Sequence, residues 1–224
     1  MSQNPATGSV VVSDWHRCKD GKEYFNKILH RKKRKIFGKS GVGKTALAAR
    51  LTGRNIPNVH YETTGVETTV VFWPVKLRDS GRVLFLRLQL WDCGENALRR
   101  FDHLLPSCKE QVDAVLFLFS FTDRTSFDDL PNQISKWTEE SAGRLVKLVV
   151  GTKFDLFMHC DVAQRDVRDF QETWRLPVLR VGGEVSNGLD DVSPLLNCLA
   201  EQLWHHDCVT AGSVGLQQET VTLL

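Results

Sequence analysis

The stretch Gly38-Lys39-Ser40-Gly41-Val42-Gly43-Lys44-Thr45 decides the fold of this 224-residue chain. It matches the phosphate-binding pattern GxxxxGK[ST] in full. The glycines let the backbone fold tightly, so that its amides point inward at phosphate oxygens. A helix starting at Lys44 adds its positive end to the same place. In such a loop Lys44 reaches the β- and γ-phosphates and the Thr45 hydroxyl ligates Mg²⁺. Gly38 to Thr45 are therefore the candidate phosphate-binding residues. The motif calls for a nucleotide and leaves the base open.

Outward from this loop, apolar runs alternate with amphipathic segments. Strands are expected at Val66–Leu77, Arg82–Trp91, Asp113–Phe121, Leu145–Val150 and Pro177–Val181, whose Val, Leu and Phe content suits a mostly buried sheet. Arg78-Asp79-Ser80-Gly81 joins the first two as a hairpin. Helices are expected at Lys44–Leu51, Asn96–Cys108, Ser126–Glu140, Val162–Trp174 and Asp190–Trp204, with Thr125 and Asp190 as N-caps. Trp73, Trp91, Trp137, Trp174 and Trp204 fall inside these patterns and are expected to be buried or half-buried. Alternating strands and helices argue for a parallel sheet covered on both faces, with one antiparallel hairpin at its edge.

After the strand Leu145–Val150 comes Gly151-Thr152-Lys153-Phe154-Asp155. A carboxylate at Asp155 can accept from both N1–H and the exocyclic amine of guanine, whereas adenine offers no matching pair of donors. The stem of Lys153 would lie along the purine face. Thr152 stands where asparagine is commoner, losing an amide and keeping a hydroxyl.

These elements resemble those of Ras-like and Rab-like small GTPases, over about Ile36 to Trp204. The resemblance implies a P-loop α/β fold of the Ras-like G-domain type. Its sheet would be mostly parallel and six-stranded, with helices on both faces and an abnormally short first strand. The pattern along the chain divides it into an N-terminal extension (1–33), a G domain (34–206) and a disordered C-terminal tail (207–224). It also implies GTP or GDP with Mg²⁺ as cofactors. Glu62-Thr63-Thr64-Gly65-Val66-Glu67 resembles switch I, with Thr63 sensing the γ-phosphate and ligating Mg²⁺ and Thr64 competing for that role. Asp92 would be the switch II carboxylate for Mg²⁺. The guanine-contacting SAK element falls at Gly182-Gly183-Glu184, where the Gly183 amide alone could serve.

Within the superfamily, residues 60–77, 91–105 and 116–131 resemble the divergent Rem- and Rab-like branch of the ciliogenesis and planar polarity effector complex. That resemblance implies adaptor and effector partners of the Fuzzy and Inturned type, and a role in vesicle transport and cilium assembly. It further implies a cytoplasmic location at the ciliary base, with peripheral membrane contact through the complex.

Three departures limit these expectations. Where relatives have DxxGQ, this chain has Asp92-Cys93-Gly94-Glu95-Asn96, so the water-orienting glutamine is missing. Glu95 is the candidate catalytic substitute, but its charge would repel the developing transition state, and slow hydrolysis is expected. The SAK element is absent and Ile56 replaces an aromatic at the guanine edge, which lowers the expected affinity to about micromolar. Finally, only Ile36-Phe37 stand between the basic run Arg31-Lys32-Lys33-Arg34-Lys35 and Gly38. A strand leading into such a loop normally has about five apolar residues. Either the first strand is short, or basic side chains snorkel from its end, or the sequence lacks a strand-coding segment.

Composition narrows the classes further. The 42% hydrophobic and 25% charged residues are those of an ordinary globule, and a formal charge of +2 gives no reason to expect nucleic acid binding. The basic run reads as a solvated linker or as a contact for anionic lipid or an acidic partner. Six cysteines without a CxxC pair read as reduced thiols. The final Val221-Thr222-Leu223-Leu224 has no prenylatable cysteine, so no lipid anchor is expected there. Two readings stay open: a GTP-controlled switch, and an adaptor indifferent to its nucleotide. A P-loop kinase or ATPase is disfavoured by Thr152-Lys153-Phe154-Asp155 and by the lack of an arginine-rich lid.

Overall fold

The computed structural model describes residues 8, 10–21, 41–53, 66–93, 113–138, 145–182 and 189–213. Two strands, β1 (Val66–Lys76) and β2 (Val83–Cys93), form an antiparallel hairpin in which Leu77 N–H donates to the Arg82 carbonyl at 2.9 Å. Three more, β3 (Ala114–Ser120), β4 (Val146–Thr152) and β5 (Val178–Arg180), form a parallel sheet in that spatial order. All five expected strands are present to within two residues at either end. The first strand, expected around Ile36-Phe37, lies outside the described residues, as does the helix expected at Asn96–Cys108.

Period-two alternation sends β3 and β4 into two cores. Leu116, Leu118, Val146, Leu148 and Val150 face one side; Phe117, Phe119 and Val149 face the other. The first core is closed by α1 (Lys44–Leu51), by α5 (Leu189–Ser213) and by the inner face of the hairpin, including Val71, Trp73 and Leu88. The second is closed by α2 (Arg124–Asp128), α3 (Leu130–Thr138) and α4 (Gln164–Trp174), around a chain of Phe119, Phe121, Phe127 and Phe170. Leu118, Phe119, Leu148, Val149 and Val150 have no exposed surface. Each such side chain contributes about 1.5–3 kcal/mol by burial.

Local details depart from expectation. The N-cap of α2 is Asp123, whose carboxylate accepts from the Thr125 and Ser126 amides, and Thr125 lies inside the helix. An aspartate one residue before a run of hydrogen-bonding side chains caps better because its charge also favours the positive helix end. The expected single helix Ser126–Glu140 breaks at Asp129 into α2 and α3. Asp190 is in the first turn of α5 rather than at its cap. The last helix, α5, continues past residue 207 to Ser213. Trp204 is 37% exposed, on the stretch of α5 near that end.

Part of the N-terminal extension packs on this frame. Val11 and Trp15 are buried in the first core, and Val11 bridges Leu77 in antiparallel pairing. Val12 N–H donates to the Lys76 carbonyl and Arg78 N–H to the Val10 carbonyl, both at 3.0 Å, so the segment pairs with the chain where β1 ends. Its other anchor is a polar stripe on α5: Asp190, Ser193, Asn197 and Glu201, three or four residues apart and hence on one helix face. Asn197 accepts from Trp73 Nε1 at 2.9 Å and donates to the Ser13 carbonyl at 3.2 Å. Glu201 has no exposed surface, and its carboxylate accepts from the amides of Gly8, Val10 and Val11 at 2.7, 3.0 and 2.9 Å. Burying that charge costs several kcal/mol, which three charge-assisted hydrogen bonds offset at about 1.5–3 kcal/mol each.

Two predictions follow from this clasp. Replacing Glu201 by Gln turns one acceptor into a donor that faces an amide, and is expected to cost about 2–3 kcal/mol. Thermal melts should show this as a fall of about 5–10 °C; an unchanged melting temperature would mean the segment is not held there. The second concerns pH. His16 Nε2 at 2.9 Å, and Arg17 Nε at 3.2 Å, hold the Asp190 carboxyl below its ordinary range. A depressed folded value means stability that is whole above the unfolded pKa of about 3.9 and lost as pH falls through the lower folded one. Asp190→Asn should therefore melt slightly lower than the unaltered chain near pH 6 and converge with it as pH falls below about 4. A constant gap across that range would contradict the pairing.

Candidate functional site

The phosphate loop is described from Gly41 onward. Gly41 and Gly43 take φ of +77° and +88°, left-handed backbone that glycine adopts without a side-chain penalty. Gly43 is the N-cap of α1 and has no side chain to cap its first-turn amides. The helix is fixed from below, since Leu47, Ala48 and Leu51 enter the first core, and Val42 is buried in the same cluster. Lys44 is 6% exposed, while Thr45 is half-buried. The loop end is thus anchored by apolar side chains whatever occupies it.

The second half of the site lies at the carboxyl end of β4. Thr152, the last residue of that strand, is buried. Its hydroxyl faces two acceptors, the carbonyls of Val42 and Phe119, the latter at 3.0 Å. One hydroxyl thus ties the phosphate loop to β3 and β4. The hydroxyl that Thr152 retains in place of the commoner amide has this task, an intramolecular one. Lys153 follows with φ of +56°, a left-handed conformation that costs a non-glycine residue on the order of 1 kcal/mol. The kink turns the chain into the 3-10 segment Phe154–His159. Phe154 is wedged between the Phe121 ring, at 4.9 Å, and the Arg180 guanidinium, also at 4.9 Å. Asp155 is held half-buried beside it.

Across from Asp155, the loop after β5 presents Gly182. Its amide donates to Asp191 Oδ1 at 3.0 Å, and Asp191 Oδ2 pairs with Arg50 of α1. The structure thus brings Val42 to Thr152 and Asp155 to Gly182, and links both halves through Arg50 and Asp191. Gly182 was expected as the first residue of the SAK position, with no role given to it; Asp191 and Arg50 were not among the residues expected from the motifs. The paired glycines after β5 were the signal for Gly182; a salt bridge between residues 141 apart in sequence left none.

Of the remaining expected residues, Gly38, Lys39, Ser40, Thr63, Thr64, Glu95 and Gly183 lie outside the described residues. Asp92 is described by its backbone alone, paired with Glu67 near the end of the hairpin strands. Among the described residues, no group of three or more His, Cys, Asp or Glu side chains could hold a metal ion. The expected Mg²⁺ set of Thr45, Thr63 and Asp92 is of another kind, drawn mainly from hydroxyls, and two of its three side chains are beyond the described atoms. The residues that are described suit a nucleotide: glycines that leave space at the helix end, a buried lysine, and a carboxylate at the tip of the adjacent strand.

Comparison with known proteins agrees with this geometry. The protein named "Ciliogenesis and planar polarity effector 2" of Danio rerio is 62% identical over 236 aligned positions, covering 95% of this chain and 93% of the relative. Its counterpart of the same name in Homo sapiens is 48% identical, covering 95% and 96%. "Ras-related protein Rab-30" of Homo sapiens is more distant, at 25% identity over 73% of this chain and 76% of the relative. The 236 positions of the first alignment exceed the 224 residues present, so that relative carries internal positions with no counterpart here. The family model described as "Ras family" matches residues 33–196. That span takes in the phosphate loop, all five described strands and Asp155, and it establishes that this chain belongs to the Ras family.

Proposed function

We propose that the chain binds guanine nucleotide with Mg²⁺ and acts as a nucleotide-dependent switch or subunit in vesicle transport and cilium assembly, with slow hydrolysis. The observation that carries the nucleotide reading is the Thr152 hydroxyl set between the Val42 and Phe119 carbonyls. It holds a phosphate loop and a guanine-reading carboxylate in one rigid frame. In this reading residues 38–45 bind the phosphates, Lys44 neutralises their charge, Lys153, Asp155 and the Gly183 amide bind the base, and Thr152 ties the two halves together from within. Thr45, Thr63 and Asp92 hold Mg²⁺, which would neutralise phosphate charge and order Thr63 and Thr64. Glu95 is a poor substitute for the water-orienting glutamine, since it adds negative charge where charge develops. The cilium role rests on the names of the relatives, and adaptor proteins of the same effector complex are the partners it suggests.

The absent glutamine also favours a second reading, an adaptor that keeps nucleotide as a structural cofactor. Partner affinity measured with GTP and with GDP separates the two: a switch prefers one, an adaptor neither.

Titration with fluorescent GTP and GDP in Mg²⁺ tests the site itself. Asp155→Asn puts a donor against the guanine donors, and is expected to weaken binding roughly 10-fold or more, about 1.4 kcal/mol. Equal affinity in the variant, or displacement by ATP at equal concentration, would sink the guanine reading.

We further propose that the unmatched positions of the zebrafish relative include the apolar residues of a central strand before Gly38. The short Ile36-Phe37 run and the basic residues ahead of it support this. Grafting the relative's unmatched residues into this chain is expected to raise both melting temperature and guanine-nucleotide affinity. No change in either would mean that the chain is complete at that place.

A further inference from the structure

Helix α5 carries a proline, Pro194, in its second turn. Proline has no N–H, so the bond that would run from residue 194 back to the Asp190 carbonyl is missing, and the ring crowds that carbonyl. The first-turn amides have no partner four residues earlier in the helix either. The turn from Leu189 to Ser193 is therefore joined to the rest of α5 by a weakened backbone ladder, and its place depends on side chains. These reach in two directions. Asp191 is buried; it accepts from the Gly182 amide at 3.0 Å and pairs with Arg50 of α1, the helix that opens with Lys44 and Thr45. Asp190, next to it, faces the N-terminal segment, where His16 Nε2 at 2.9 Å and Arg17 Nε at 3.2 Å hold its Oδ1. Ser193 Oγ lies 3.4 Å from the same His16 nitrogen.

We propose that residues 10–17 are a clasp for nucleotide retention: docked on α5, they fix its first turn so that Asp191 stays on Arg50 of the phosphate-loop helix, and their release speeds nucleotide loss. The inference rests on the nucleotide reading of the site. The segment has anchors of its own, independent of that turn. Val11 and Trp15 enter the first core, and the Val10 and Val11 amides donate to Glu201. It thus delivers a fixed His16 to a turn that the helix itself holds loosely. Linkage makes the effect reciprocal: bound nucleotide, by fixing α1, tightens the segment on α5. A partner that takes up residues 10–17 as an extended peptide would loosen the nucleotide without touching its site.

Release of fluorescent GDP from the full chain in Mg²⁺, chased with excess GDP, tests this. His16→Ala is expected to speed release roughly 5-fold or more. His16→Gln keeps a donor toward Asp190 and should stay within about 2-fold of the unaltered rate. Pro194→Ala restores the backbone bond to the Asp190 carbonyl, and in that background His16→Ala should change release by less than about 2-fold. Arg17 reads the same contact from an exposed side chain, so Arg17→Ala keeps the fold and should speed release about 2-fold. Hydrogen exchange at the Val10 and Val11 amides should slow when GDP binds. Unchanged release in Arg17→Ala and in folded His16→Ala overturns the proposal. So does equal acceleration with and without Pro194, equal acceleration by His16→Gln and His16→Ala, or amide exchange indifferent to GDP. An unaltered chain that binds no GDP overturns the nucleotide reading beneath it, and this inference with it.

Discussion

Strands covered on both faces are apolar along their covered length, and β3 and β4 are so from Leu116 and Leu148 to Phe119 and Gly151, with Lys147 half-buried near the start of β4. Their paired residues run from Ala114 and Val146 to Ser120 and Thr152, and polar side chains accumulate only where the ladder ends. The two cores divide along this ladder, so each helix has one place to bury its apolar face. The ladder also decides where chemistry can occur. At its carboxyl end the backbone leaves the sheet, and Thr152 stands beside Val42 because the helix carrying the phosphate loop packs on the same face. In parallel α/β sheets the crevice outside the carboxyl ends of the strands is the general ligand site, and here its walls are the phosphate loop and the Lys153–Asp155 turn.

The two halves of the site are coupled by polar contacts made in the interior, where their geometry is held by packing. Thr152 bridges the Gly41–Gly43 turn and β4; Asp191 bridges the loop after β5 and α1. An ion pair such as Arg50–Asp191, buried at the aspartate and half-buried at the arginine, adds little net stability once desolvation is counted. Its consequence is positional, since the same carboxylate must satisfy both the guanidinium and the Gly182 amide. Charge, burial and a missing side chain thus act on the same few ångströms of backbone.

The same economy of contacts explains why α5 carries so many buried polar residues. One of its faces lies on the sheet through Val192, Leu195, Leu196 and Leu199. The adjoining stripe of Asp190, Ser193, Asn197 and Glu201 would be an ordinary solvated face if residues 8–21 were absent. Covered by that segment, it becomes a set of acceptors and donors for backbone groups that have left water. The segment in turn pairs with Lys76 to Arg78 at the end of β1, where their backbone groups would otherwise face solvent.

Local pattern was enough to locate the strands, the hairpin turn, the phosphate loop and Asp155, because each depends on neighbours within a few residues: alternation, turn chemistry, glycine at positive φ. The α2 cap was also local, yet Asp123 was passed over because Thr125 competes for the same role on composition alone. What tertiary structure alone decided are the pairings between distant residues. The 190–201 stripe could signal a covered helix face, but nothing in it names Gly8 to Val12 as the cover. Arg50 and Asp191 meet because α1 and α5 close the same core, and Gly182 lies against Asp155 because the loop after β5 passes beside the Lys153–Asp155 turn. Sequence determines which groups are available within a turn or a strand; only packing determines which of them meet across the molecule, since those contacts form after the chain has paid the entropy of bringing its ends together.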